Sequence, residues 1–365
     1  MRNRLATFTT GAIMSLSAAT GLALACISGF ARAEGGLCDG PAPSEAVTLL
    51  CSGISKQESG DTDGSIADFQ RALELQPDFP EVHMMLGVSL YAKGDYPGAI
   101  ERYDRYIEAV PGNFHAWSNR GAAQLQLGNL AAARSDIERA LALNPGDPEL
   151  LENRIVVARE AGDFLSVIQD CTTLIDLYPA KASWLLERGK ALGAESRFAE
   201  SLADLDRVVA MEPSAAAHYF RGVTRYFTGQ YESSIKDFSQ AIELDATWWS
   251  AYQKRCSARY QLQQYQEALP DCDRYVEQAP DRYDGPYTRG IVRSRAGDQD
   301  GARSDYLRAI DLARTPEERA NAWYGVGLTH ERAGQKADAR EAYRKTLDID
   351  PAYELARKAL KRLGK

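Results

Sequence analysis

Residues 114–147 read FHAWSNRGAAQLQLGNLAAARSDIERALALNPGD, and the fold turns on how this stretch is parsed. Apolar or small residues recur at spacings of three and four over Phe114 to Leu127 and again over Leu130 to Leu143, the pattern of an amphipathic helix. Gly128-Asn129 separates the two runs and Pro145 ends the second, so the stretch predicts a helical hairpin. Neither helix is long enough to stand alone in water. The pair also leaves one apolar side uncovered, which a neighbouring unit must bury.

That neighbour is found by shifting the window about 34 residues in either direction. The arrangement of Trp117, Gly121, Ala133, Ala140 and Pro145, at places 4, 8, 20, 27 and 32 of the unit, returns along the chain and resembles the tetratricopeptide repeat (TPR). Nine such units cover 46–353: 46–79, 80–113, 114–147, 148–181, 182–214, 215–248, 249–282, 283–319 and 320–353. The fourth has Ile155 where the others carry glycine, the fifth is one residue short, and the eighth carries an insertion around Ala313 to Glu318. After them AYELARKALKRL (352–363) supplies a basic helix, the segment 354–365, placed to cap the last hairpin. The resemblance implies an all-α fold, an α-solenoid in which stacked hairpins form a right-handed superhelix. The first helix of each hairpin would line its concave face.

Before the repeats, Arg2 and Arg4, the apolar run Ala12 to Ala25 and Ala31-Arg32-Ala33 together read as a secretory signal peptide spanning 1–33. Ser17, Thr20 and Gly21 interrupt the run, which disfavours a retained membrane helix. The alternative of a lipid anchor at Cys26 follows from Leu24-Ala25-Cys26, but Ala23 stands where a lipobox prefers leucine. Residues 34–45, EGGLCDGPAPSE, then form a Gly/Pro-rich loop. The whole chain has a formal net charge of −8; without Arg2, Arg4 and Arg32 it keeps 40 of 43 basic residues against 51 acidic, a net charge near −11. With no basic stripe to displace counterions, a nucleic-acid surface is not expected. The destination implied is the periplasm or secretion.

An oxidising compartment permits disulfides. Cys256 and Cys272 fall at places 8 and 24 of one repeat, on facing sides of its hairpin, and are one candidate pair. Cys38 and Cys51 bracket the Pro-containing loop and are the other, which leaves Cys171 as a buried small hydrophobe. No CxxC pair occurs, and His83, His115, His218 and His330 are scattered, so neither a metal centre nor a cofactor is expected. HExxH, GxSxG and a Gly-rich phosphate loop are likewise absent, which points away from an enzyme.

Six successive repeats carry arginine at place 7 and aspartate at place 23: Arg120 with Asp136, Arg154 with Asp170, Arg188 with Asp204, Arg221 with Asp237, Arg255 with Asp271 and Arg289 with Asp305. Six copies of one pair suit architecture better than catalysis, each guanidinium fork orienting helix against helix. A row of arginines for an anionic ligand is the competing reading, weakened because the acids spend that charge locally.

The resemblance places exposed groove positions at 2, 5, 9 and 12, where this chain has Tyr91, Tyr219, Tyr226, Tyr260, Tyr287 and Tyr324, with Glu152, Arg159 and Lys190 in the middle. Tyrosine buries a large rigid surface and keeps a hydroxyl for hydrogen bonding. Of the adjacent Trp248 and Trp249, one is expected in the hairpin junction and the other as a contact. A Lys/Asn/Arg clamp for chaperone C-termini is not present: Asn119 fits its centre, but Met84 and Val88 replace the flanking residues. The expected function is a non-catalytic protein-binding scaffold of the bacterial envelope that grips a protein or peptide partner. The alternatives are a cell-wall glycan-binding solenoid and a self-assembling structural protein.

Overall fold

A computed structural model describes Cys38 and residues 43–364. The expected signal peptide, Cys26 and most of the 34–45 loop lie outside the described residues. Among the described residues the chain forms two compact units, one ending at Glu195 and one beginning at Ser196. Both are built from helices alone.

The first unit holds α1 (Glu45–Glu58), α2 (Thr62–Leu75), α3 (Pro80–Lys93), α4 (Tyr96–Ala109), α5 (Phe114–Gln126), α6 (Leu130–Leu143), α7 (Pro148–Glu160), α8 (Phe164–Leu177) and α9 (Ala182–Ala194). The second holds α10 (Phe198–Met211), α11 (Ala215–Phe227), α12 (Tyr231–Leu244), α13 (Trp249–Gln261), α14 (Tyr265–Gln278), α15 (Asp284–Ala296), α16 (Gln299–Leu312), α17 (Pro316–Arg332), α18 (Lys336–Ile349) and α19 (Glu354–Arg362). Within each unit consecutive helices pack on one another, and the first helices of successive hairpins also touch. This is the packing of an α-solenoid.

The hairpin turns follow from local chemistry. Asp61, Asp95, Asp163 and Asp298 cap the second helices by accepting from the backbone N–H of Gly64, Gly98, Ser166 and Gly301, which satisfies donors the helix leaves open. Just before them the chain enters the left-handed region, as at Gly94 with φ 87°. Ser196 and Gln263 adopt that conformation at the equivalent turns without being glycine, at φ 61° and 60°.

Within each unit the hairpins close where place 8 meets place 24. A Cβ on Gly87 would sit 2.6 Å from the Tyr103 ring, and one on Gly222 would sit 2.8 Å from the Phe238 ring. The aromatic fills the space that glycine vacates, at interior packing density. In repeat four the sizes are exchanged: Ile155 takes the glycine place, Cys171 takes the aromatic place, and both are buried. Repeat seven uses a third solution, a disulfide between Cys256 and Cys272, while a second disulfide joins Cys38 to Cys51 on α1.

Two segments refine the sequence reading. The insertion around Ala313 to Glu318 partly continues the solenoid, because α17 begins at Pro316 behind a capping box of Thr315 and Glu318. At the C-terminus α19 buries Ala356 and Ala359 with Ala339 and Tyr343 of the last hairpin. Among the described residues no helix is long and apolar enough to cross a membrane.

Candidate binding face

The Arg/Asp ladder lies between helices. Arg120 and Asp136, Arg154 and Asp170, Arg221 and Asp237, Arg255 and Asp271, and Arg289 and Asp305 make ion pairs of 2.5 to 2.7 Å. Asp204 is buried at the same place, and Arg188 Nη1 donates to Thr172 Oγ1. The sequence reading missed the second arm of the fork. Arg120 also bonds Asp104, Arg255 bonds Ser239 and Arg289 bonds Asp273, each sixteen residues upstream. Arg221 reaches Asp206. A single guanidinium therefore ties its own hairpin together and fastens it to the preceding one. The signal was available in the sequence as an acid or hydroxyl recurring one repeat back.

In the second unit three aspartates are held twice. Arg225 joins Arg221 on Asp237, Arg259 joins Arg255 on Asp271, and Arg293 joins Arg289 on Asp305. Desolvation works against the Arg289 charge, yet bonds to Asp305 and Asp273 hold its pKa above the ordinary value. These arginines are engaged with protein carboxylates and offer no open anion row.

The tyrosines divide. Tyr91 and Tyr219 are buried, at 7 % and 1 % exposure, which corrects their expected placement on the open face. Tyr219 is enclosed by Phe220, Phe238 and Trp248, and Tyr91 packs edge-on against Tyr96. Tyr226, Tyr260, Tyr287 and Tyr324 are half-buried on α11, α13, α15 and α17. Each rests on another aromatic: Tyr226 on Tyr231, Tyr260 on Tyr265, Tyr287 on Tyr306, and Tyr324 on Tyr343. Burial raises the pKa of Tyr287, and the charges that Tyr260 and Tyr324 would carry raise it further. Both tryptophans turn out to be packed, Trp248 on Tyr219 and Trp249 stacked on Tyr275 beneath Arg282.

The first unit presents a different face. Glu152 accepts from Lys181 and from Trp184 Nε1, both within 2.8 Å. Arg159 and Lys190 meet on Glu187. The charges expected in the middle of the groove thus neutralise one another. Asn119 is buried with Nδ2 lacking a partner among the described residues.

Beside the tyrosine row, Asp284 gathers Gln253, Tyr275 and Arg282. Burial pushes the Lys254 ammonium down to about 8, against the attraction of Asp284. An unfolded lysine titrates near about 10.4, so the folded chain binds this proton more weakly. The site therefore costs stability below pH 8, and that cost disappears as pH rises toward 10. Lys254→Met is expected to be the more stable protein below pH 8 and to lose its advantage by pH 10. Urea midpoints measured across that range check this, and parallel pH curves for the two proteins would contradict it.

Among the described residues no group of three or more His, Cys, Asp or Glu is arranged around a common point.

A tetratricopeptide repeat family model matches residues 52–114, 90–148, 118–182, 186–248 and 287–354. Repeat seven, where the disulfide replaces the glycine–aromatic contact, falls between the matched segments. No match was found among functionally curated proteins. Among solved structures, a tetratricopeptide repeat protein from Parabacteroides merdae ATCC 43184 is similar at 20 % identity and TM-score 0.56, over 68 % of this chain and 98 % of that one. YrrB, described as a TPR protein with an unusual peptide-binding site, aligns at 22 % identity and TM-score 0.47, over 52 % of this chain and 96 % of its own. MamA aligns at 21 % identity and TM-score 0.42, over 45 % and 94 %. At these identities the likeness concerns the fold.

Proposed function

Because the chain belongs to the tetratricopeptide repeat family, we propose that it is a non-catalytic protein-binding scaffold of the bacterial cell envelope. It takes a peptide or protein segment on the first-helix face of repeats six to nine. The observation that carries this reading is the row Tyr226, Tyr260, Tyr287 and Tyr324, half-exposed and each backed by a second aromatic ring. Rings held in this way have little freedom to lose on binding, which is what makes tyrosine a strong anchor. The two disulfides suit the oxidising space to which the N-terminal segment would direct the chain.

Capture from envelope extract tests the reading. The wild-type chain is expected to retain a protein partner that Tyr260→Ala/Tyr287→Ala loses by about tenfold or more, in keeping with removal of two anchors, while circular dichroism stays unchanged. Undiminished capture by the folded double variant would remove this face from the account. Stacking tyrosines also suit a glycan, and retention on isolated cell wall, with no protein captured from extract, would favour that second reading.

A further inference from the structure

Arg332 of α17 repeats the grip of the ladder arginines with one part missing. In Arg120, Arg255 and Arg289 the Nε and Nη2 edge of the fork holds an aspartate, while Nη1 reaches the preceding hairpin. Arg332 Nη1 likewise reaches back, donating to Ser294 O at 3.2 Å and to Ser294 Oγ. Ser294 is buried and bonded at the same two atoms by Gln299, so the seat is fixed. The Nε and Nη2 edge of Arg332 has no acceptor among the described residues, and the residue is exposed. Its sequence neighbour Glu331 supplies none, because Arg362 takes both Glu331 oxygens and the Tyr343 hydroxyl bonds one of them.

Arg295 adds a second open charge. It follows Ser294 in the last turn of α15, is exposed, and makes no ion pair among the described residues. The bond from Arg332 to Ser294 therefore sets one exposed arginine against the residue next to the other. Both arginines end matching strips: Tyr287, Ile291 and Arg295 stand four residues apart on α15, and Tyr324, Leu328 and Arg332 do so on α17. That spacing runs each trio along one side of its helix. The tyrosines and aliphatic residues are half-buried, and the two helices touch. Repeat seven has Gln253, Ser257 and Gln261 at these places, so the pattern belongs to repeats eight and nine. They present aromatic, then aliphatic, then cationic surface on a chain whose net charge is −8.

A guanidinium with its Nε and Nη2 edge open matches a carboxylate bidentately, and the partly covered rings and aliphatic side chains take apolar groups. One peptide carries both. A polyuronate has the carboxylates but lacks apolar side chains for Ile291 and Leu328.

We propose that the partner segment bound on repeats eight and nine is an acidic peptide with apolar side chains, a glutamate or aspartate carboxylate lying on the open edge of Arg332 with Arg295 beside it. The proposal rests on the reading of this face as the binding site. Fluorescence anisotropy of the full chain with the peptide FEEFEEF tests it, the peptide being dye-labelled at its N-terminus and amidated at its C-terminus so that only side-chain carboxylates are present. The expected result is saturable binding, about tenfold tighter than that of FQQFQQF and weakened several-fold when salt is raised to about 0.5 M. Arg332→Gln is expected to weaken it about tenfold, and Arg332→Lys, which keeps the charge without the fork, by less. Arg295→Gln, which breaks no bond within the fold, is expected to weaken it about threefold, and Arg344→Gln, at an exposed site on α18, to leave it unchanged. Four outcomes overturn the proposal: no binding by the folded wild-type chain, equal affinity for the glutamate and glutamine peptides, wild-type affinity in both Arg295→Gln and Arg332→Gln, or tighter binding of hexagalacturonate than of FEEFEEF. If FEEFEEF fails while Tyr260→Ala/Tyr287→Ala still loses its captured partner, the acidic-peptide proposal is wrong and the face remains the site. If the tyrosine substitutions leave capture intact, the underlying reading has failed.

Discussion

Replacing Asp305 by alanine lowers the stability of the chain by about 3 kcal/mol, whereas Asp273→Ala changes it by less than about 1 kcal/mol. Asp305 is 3 % exposed and accepts from Arg289 and Arg293. Removing it takes the one buried carboxylate from two part-buried guanidinium groups, so much of their desolvation cost is retained while only the exposed Asp273 remains to offset it. Asp273 receives the outer arm of the same Arg289, but its side chain is 44 % exposed, and water replaces much of what it supplies. Urea unfolding of the two variants checks the contrast. Equal losses would mean that the ladder acts as a set of surface ion pairs and not as an internal fastening.

The second large effect concerns the two places where each hairpin closes. Gly87→Ile drives a branched side chain into the Tyr103 ring, which already sits where a Cβ would be 2.6 Å away. Overpacking of this kind costs about 1–3 kcal/mol and often more. Tyr103→Cys alone opens a cavity in a fully buried site, a loss of about 3–5 kcal/mol by analogy with truncation of other large aromatics. The double variant carries into repeat two the exchanged sizes found at Ile155 and Cys171 in repeat four. It is expected to be less destabilised than the sum of the single variants by about 2–3 kcal/mol, within the range of coupling seen between contacting residues. Additive losses would show that the repeat-four pair depends on its wider surroundings.

Much of this fold is legible in the sequence because repetition multiplies a weak signal. Gly121 alone decides nothing, but glycine recurring at the same place before an apolar residue fixes both helices and their register. Five of the six Arg/Asp pairs are legible for the same reason, since a fixed spacing on two facing helices brings the same side chains together in those repeats. The outer arms to Asp104, Ser239 and Asp273 are harder to find because the accepting residue changes type from repeat to repeat. The groove is harder still. Tyr219 and Tyr287 occupy the same place in their repeats, yet Tyr219 is covered by Trp248 from the next hairpin's start and Tyr287 is not buried in this way. Exposure at a groove place depends on the neighbouring repeat's side chains, and period alone does not carry that.

The most direct measurement is photo-crosslinking in the native envelope, with benzoylphenylalanine placed at position 260 in one protein and at 307 in another. Position 260 lies in the tyrosine row, and Leu307 is an exposed residue of the second helix of its hairpin, α16. A discrete partner adduct from 260 and none from 307 is the predicted result. The same adduct from 307 in a folded protein, with none from 260, would contradict the account.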